Sequence, residues 1–197
     1  WKDDFKNLHP SPFGQGVYAR SMIALLENSW VGPAAEDDKI KSHNLPEPLN
    51  ELNYDNGTLV DITNAKISGD WKLVPNWEPQ DGKGTRNNYT NVPMLIGEKA
   101  NKGKASLAFE GKTVGIAVAA GPDAGLIQYR IDKGEWQKLD LLTNWSRSLH
   151  LPWFFTLASG LENKKHTLQV KIAEKEDPKR IGNTCRIRYF YINKKNP

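Results

Sequence analysis

The chain has 197 residues, of which 38% are hydrophobic and 25% charged, a composition that permits a substantial core and excludes a wholly disordered chain. Its net charge is +4, but the 27 basic residues are scattered among 23 acidic ones, so we expect no nucleic-acid partner. The single cysteine, Cys185, excludes an intrachain disulfide and lies in an apolar run, which favours a buried thiol. No apolar stretch is long enough for a membrane span.

The segment from Pro12 to Trp30 has the apolar periodicity of an amphipathic helix. Ser11 is suited to cap this helix, and Pro12 suits its first turn. Residues 32–50 contain a Gly-Pro pair, an acidic run and two further prolines, which predicts a linker. Because a lone amphipathic helix needs a packing partner that this linker does not supply, the pattern indicates a further domain.

After residue 50 the helical period ends, and short β-rich runs separated by turn residues follow. Apolar and polar residues alternate over residues 127–131, which is typical of a strand with one buried face, and Asp132-Lys133-Gly134 predicts a hairpin turn towards Trp136 and Leu139. Six or more strands without intervening helices predict a mainly all-β fold, an antiparallel jelly-roll-like β-sandwich. The clearest runs cover residues 58–62, 105–109, 113–119, 126–131, 167–172 and 185–192.

One block near the start of the chain contains a candidate catalytic residue. Leu8-His9-Pro10-Ser11-Pro12-Phe13-Gly14-Gln15, followed by Tyr18-Ala19, resembles the last conserved block of SGNH/GDSL hydrolases, where a His-Pro pair precedes the final helix of a three-layer α/β domain. The resemblance implies that His9 is the general base that takes the proton of a serine nucleophile. A loop directly before a rigid helix suits that task, because it holds an imidazole firmly.

The residue that orients His9 is less clear, because the SGNH family usually places an aspartate three residues before its histidine. Lys6 occupies that position here. Asp3 or Asp4 could supply the carboxylate from an unusual spacing, or a backbone carbonyl could orient the ring in a Ser-His dyad. His9 and Asp4 are therefore the candidate catalytic residues.

The remaining parts of an SGNH site are not in this sequence. There is no Gly-Asp-Ser block, no Gly-x-Asn-Asp and no Gly-x-Ser-x-Gly elbow, whereas acyl transfer needs a nucleophile, a base and an oxyanion hole together. The resemblance thus implies that an N-terminal SGNH catalytic domain of the same protein is the partner of this chain. The corresponding domains are residues 1–31, which would end that hydrolase domain, the linker at 32–50 and the accessory sandwich at 51–197.

The stretch 119–125, together with Trp145-Ser146 and residues 149–153, resembles the sandwich that follows the catalytic domain in some bacterial SGNH members. Trp145, His150, Trp153 and Asp123 are the candidate substrate-binding residues, since tryptophan offers an apolar face beside a polar N–H. The alternative is that the tryptophans pack in the core or against another domain and that Pro122-Asp123 is only a turn. We expect no metal and no cofactor.

The resemblance implies an esterase that acts on an acyl ester, most simply an acetyl ester, of a carbohydrate, and that is secreted or periplasmic. Two other functions fit the same residues. The chain could be a non-catalytic carbohydrate-binding module whose helix packs on the sandwich, or a structural interface domain without a ligand.

Overall fold

A computed structural model describes residues 2–31, residues 56–194 and seven single positions between them, namely 42, 44, 46, 47, 49, 50 and 54. Most of the predicted linker, 32–50, lies outside the described residues. The chain divides into two compact units, Trp1–Glu47 and Pro48–Pro197. The limits of the proposed domains, 1–31, 32–50 and 51–197, stay predictions.

The first unit contains one helix, α1, which spans Pro12–Trp30 as the periodicity predicts. Ser11 caps it, since the Ser11 side-chain oxygen accepts a hydrogen bond from the Gly14 N–H at 3.2 Å. Gly14 is buried, and a Cβ at this position would lie 2.7 Å from the carbonyl oxygen of Asp4, so glycine allows the preceding loop to pack on the first turn. No helix among the described residues is long and apolar enough to cross a membrane.

The second unit is a sandwich of two sheets whose paired strands are all antiparallel, which confirms the predicted fold class. Within residues 56–194 it has eleven strands, β1 (Gly57–Asp61), β2 (Lys66–Ile67), β3 (Lys72–Trp77), β4 (Val92–Gly97), β5 (Ala105–Gly111), β6 (Thr113–Ala120), β7 (Leu126–Ile131), β8 (Gln137–Asp140), β9 (Leu151–Ala158), β10 (Lys164–Ile172) and β11 (Cys185–Asn193). Short 3₁₀ turns cover Ile62–Asn64 and Asn87–Tyr89.

Strand β11 organises the larger sheet. The six-stranded sheet has the order β3-β4-β11-β6-β9, and β1 pairs with the C-terminal half of β11 on the edge whose N-terminal half pairs with β4. The five-stranded sheet has the order β2-β5-β10-β7-β8. The predicted hairpin is confirmed, because β7 pairs directly with β8 across a turn in which Asp132 has a φ of 53°.

The core lies between the sheets and follows the two-residue period of the strands. Ile116, Leu168 and Ile187 are fully buried there, and so is Cys185, whose burial raises the pKa of the thiol to about 12. The larger sheet also carries a second, smaller cluster that is separate from this core. Its buried members are Trp77, Tyr89, Met94, Ile96 and Ala119.

Candidate functional site

The loop before α1 places His9 on the surface of the first unit. The His9 backbone N–H donates to Asn7 Oδ1 at 2.7 Å, and no group within residues 2–31 forms a hydrogen bond with the imidazole. The Asp4 carboxylate accepts a hydrogen bond from the Ser11 hydroxyl at 2.5 Å, and the Asp4 carbonyl accepts one from the Ser11 N–H at 3.0 Å. Asp4 therefore ties the loop to the helix cap, two residues beyond His9.

The sandwich has an open pocket of about 490 Å³ on its six-stranded sheet, which we call the His150 pocket. Its walls come from strands β3 and β4, the loop that follows β3, the turn after β6, the residue before β9 and the start of β11. The lining includes the aromatic and charged side chains of Trp77, Asp81, Asp123, His150 and Arg186, and three further charged residues, Lys72, Glu78 and Glu98.

His150 lies immediately before β9 and is 1% exposed. Its Nε2 contacts the two carboxylate oxygens of Asp81 at 3.1 and 3.2 Å, and its backbone N–H donates to the carbonyl of Gly84 at 2.8 Å. On the other side of the ring, a Cβ at position 121 would lie 2.1 Å from Nδ1, so Gly121 makes room for the imidazole. His150 thereby anchors the loop between β3 and β4.

Asp123 and Arg186 form a second anchored pair. The two terminal nitrogens of Arg186 each donate to one oxygen of Asp123, one of them at 2.9 Å, and the guanidinium lies 5.1 Å from the Trp77 ring. Burial tends to raise the pKa of Asp123, but the Arg186 hydrogen bonds and charge outweigh it and the pKa is lowered. This bidentate pair holds the turn after β6 against β11.

The carboxylate that contacts His150, that of Asp81, is also held in its ionised form. Burial raises its pKa, but hydrogen bonds from the Lys83 N–H and the His150 ring outweigh burial, and the net shift is downward. The side chain of Asp81 is 40% exposed and that of Asp123 is 23% exposed. Both carboxylates can therefore still accept hydrogen bonds from hydroxyl groups of a molecule in the pocket. No group of three metal-ligating side chains occurs among the described residues.

The structure separates the four predicted substrate-binding residues. Asp123 and His150 line the same pocket, but Trp145 and Trp153 are not among its lining residues. Trp145 is 69% exposed in the loop before His150, whereas Trp153 is half-buried and packs against the main core. Their roles in binding stay predictions.

Sequence reasoning did not single out Asp81, Trp77 or Arg186. Asp81-Gly82 predicts a tight turn, because it lacks the ligand spacing of a known calcium loop, and Gly82 does have a φ of 69°. Arg186 lies inside an apolar, strand-like run and was not noticed there. A charged residue among buried neighbours does indicate an ion pair, because buried charges are normally paired.

Comparisons with known proteins support the fold. No family model matches the chain, and no curated protein matches it. It is similar to the crystal structure of a two-domain esterase active on acetylated mannans, with a TM-score of 0.68 and 16% identity over 96% of this chain and 49% of that chain. A structure of such an esterase co-crystallised with mannopentaose gives a TM-score of 0.67 and 15% identity over 96% of this chain and 48% of that chain. The chain thus spans about half the length of these esterases.

A family two carbohydrate esterase from Cellvibrio japonicus is more distant, with a TM-score of 0.45 and 7% identity over 71% of this chain and 33% of that chain. The similarity to the two-domain esterases, at 15% and 16% identity, establishes the fold and leaves the chemistry to the residues described above.

Proposed function

We propose that this chain is the C-terminal part of a carbohydrate esterase whose nucleophile resides on an N-terminal SGNH-type domain. One observation carries the proposal: the chain aligns over 96% of its length with about half of a two-domain esterase, so the helix-containing segment and the sandwich both have counterparts there. That esterase is active on acetylated mannans. An acetyl ester of a carbohydrate is accordingly the proposed substrate.

His9 acts as the general base in this proposal. It would take the serine hydroxyl proton as the nucleophile attacks the acyl carbon, and return it to the sugar oxygen that leaves. The exposed imidazole directly before a capped helix is suited to this role, because the cap limits movement of the loop. Asp4, which bonds to Ser11, is proposed as a positioning residue that acts on His9 through this loop.

The test uses the full-length protein and a generic acetyl ester. His9→Ala should lower kcat by several orders of magnitude, because members of a catalytic triad act as a unit. Asp4→Ala should lower kcat to a smaller extent, and Lys6→Ala, a change in the same exposed loop, should have little effect. Near-normal turnover in the His9→Ala protein with an intact fold would reject the catalytic role of this chain.

The sandwich is proposed as the carbohydrate-binding part of the enzyme, with the His150 pocket as a contact for the sugar. Two of the four acidic groups at its wall pair with basic ones, Asp123 with Arg186 and Glu98 with Lys72. Glu78 and Asp81 add further negative charge, so the pocket disfavours an anionic ligand and suits a neutral polyhydroxylated one. Trp145 remains the proposed stacking residue because its ring is 69% exposed.

The second candidate function, a non-catalytic carbohydrate-binding module, is favoured by the same pocket. The two functions differ in the effect of His9. A full-length protein that binds mannopentaose equally well with and without His9→Ala, and that hydrolyses no acetyl ester in either form, would support the binding module.

A further inference from the structure

A group of side chains on the outer face of the six-stranded sheet has no part in the site described above. The register places Tyr191 of β11 opposite Gly115 of β6, and Gly115 opposite Thr156 of β9. The neighbouring residues on these strands, such as Ile116 and Phe190, lie in the core. Because successive strand residues point to opposite faces, Tyr191 and Thr156 lie on the side away from the core.

The tyrosine ring lies on the sheet because position 115 is glycine. A Cβ there would be 2.1 Å from Cζ of Tyr191 and 2.3 Å from its hydroxyl oxygen. The Tyr191 and Thr156 hydroxyls form a hydrogen bond of 2.9 Å. Phe154 stands beside them, 58% exposed, with its ring centroid 6.0 Å from that of Tyr191. We call Phe154, Thr156 and Tyr191 the outer-face patch.

The outer-face patch borders a cleft of about 260 Å³, and none of the described residues that line this cleft is charged. A charged ligand would therefore find no counter-ion among the described residues of the lining. A purely apolar ligand would cover the two hydroxyl groups and exclude the water that hydrates them. A sugar ring matches both features, since its C–H face can lie against an aromatic ring while its hydroxyls bond to the Tyr191 and Thr156 oxygens.

We infer that the outer-face patch is a second carbohydrate-binding site of the sandwich, for a neutral sugar chain. This inference rests on the proposed carbohydrate function and extends it to a place outside the His150 pocket. Arg186 in that pocket and Tyr191 in the patch are five residues apart on β11, or about 17 Å at the usual rise of a strand. A ligand that contacts both is accordingly an oligosaccharide.

The experiment measures binding of mannopentaose and cellopentaose to the 197-residue chain by titration calorimetry, with pentagalacturonic acid as a charged comparison. Phe154→Ala should weaken binding of a neutral pentasaccharide about tenfold, and Tyr191→Phe, which keeps the ring and removes the hydroxyl, about threefold. Ile67→Ala is the matched control, because Ile67 is also an exposed apolar strand residue, 43% exposed, but belongs to the other sheet. All three variants should retain the melting temperature of the unaltered chain within a few degrees.

Unchanged affinity in Phe154→Ala and Tyr191→Phe would overturn the inference, as would failure of the unaltered chain to bind either neutral pentasaccharide. Sedimentation tests whether a second copy of the chain occupies the patch instead. Self-association that Phe154→Ala abolishes, in a chain that binds no sugar, would assign the patch to that second copy. If both patch variants bind normally while Asp123→Asn weakens binding, the sugar site is the His150 pocket and the proposed function stands. The esterase proposal is tested separately, by the acetyl-ester hydrolysis of the full-length protein with and without His9→Ala.

Discussion

Helix α1 and the sandwich differ in how far their apolar side chains are exposed to solvent. In the sandwich, Ile116 and Leu168 are fully buried between two sheets. In α1, Met22 and Leu25 are each 67% exposed, and Gly14 is the residue of the helix that is buried. Since most helical stability in proteins comes from packing an apolar face, the sandwich contains its own source of stability, whereas α1 contributes little beyond its cap. The proposed N-terminal domain would supply the missing contacts.

Truncating one leucine in the sandwich and one in α1 tests this difference most directly. Leu168→Ala should lower the free energy of unfolding of the sandwich by about 2–5 kcal/mol, because it opens a cavity at a fully buried position. Leu25→Ala should change it by less than about 0.5 kcal/mol, because that side chain is largely exposed in the isolated chain. Denaturant titration followed by tryptophan fluorescence measures both. Equal losses would show that α1 is integral to the sandwich's stability.

Within the sandwich, we expect a smaller loss of stability when the wall of the His150 pocket is altered, and almost none when the loop that His150 anchors is altered. Gly121→Ala places a methyl group 2.1 Å from His150 Nδ1, so the ring must shift, and we expect a loss of about 1–3 kcal/mol. Gly84→Ala is the matched control, because nothing lies within 4 Å of a Cβ there. Thermal unfolding gives the stability of both variants, and the NMR signal of the His150 ring reports the shift. A stable Gly121→Ala chain with an unchanged ring signal would contradict the packing described here.

The elements that sequence reasoning predicted well are those specified by neighbouring residues. Ser11, Pro12 and the apolar period define α1 locally, and the alternation of residues 127–131 with the turn at Asp132 defines the β7–β8 hairpin. Strand β9 was not predicted from the sequence, and it contains Trp153 and Phe154 as neighbours. In the sandwich they lie on opposite faces, Trp153 against the core and Phe154 exposed, as the two-residue period of a strand requires.

The site was harder to predict because its contacts join distant parts of the chain. His150 and Asp123 were recognisable as candidates, but their partners, Asp81 and Arg186, are 69 and 63 residues away in sequence. Pairing at that separation depends on the order of strands in the sheets, and strand order cannot be derived from the local pattern of one sequence. The role of Gly121 as the space for an imidazole follows from the same long-range packing.

The smallest expected effect concerns a third histidine, which contrasts with the exposed His9. His166 is enclosed, with Nδ1 2.8 Å from Asp132 Oδ2 and Nε2 2.8 Å from the carbonyl of Glu162, so both ring nitrogens face acceptors. The hydrogen bond to Asp132 is the main cause that raises the pKa of His166, and it is also the main cause that lowers the pKa of Asp132, while the nearby charge of Lys164 acts against the His166 shift.

These shifts determine how stability should change with pH. A raised pKa of His166 means that its stabilising contribution is complete below the unfolded value of about 6.5 and is lost as the pH rises through the folded pKa. A lowered pKa of Asp132 means that its contribution is present above the unfolded value of about 3.9 and is lost as the pH falls. The pair should therefore contribute most between about pH 4 and pH 6.5. From pH 5.5 to about 8.5, the free energy of unfolding should fall less in His166→Gln than in the unaltered chain, because the variant lacks the titrating ring. Parallel profiles for the two proteins would show that the pKa of His166 is the same in the folded and the unfolded chain, and would contradict the raised pKa.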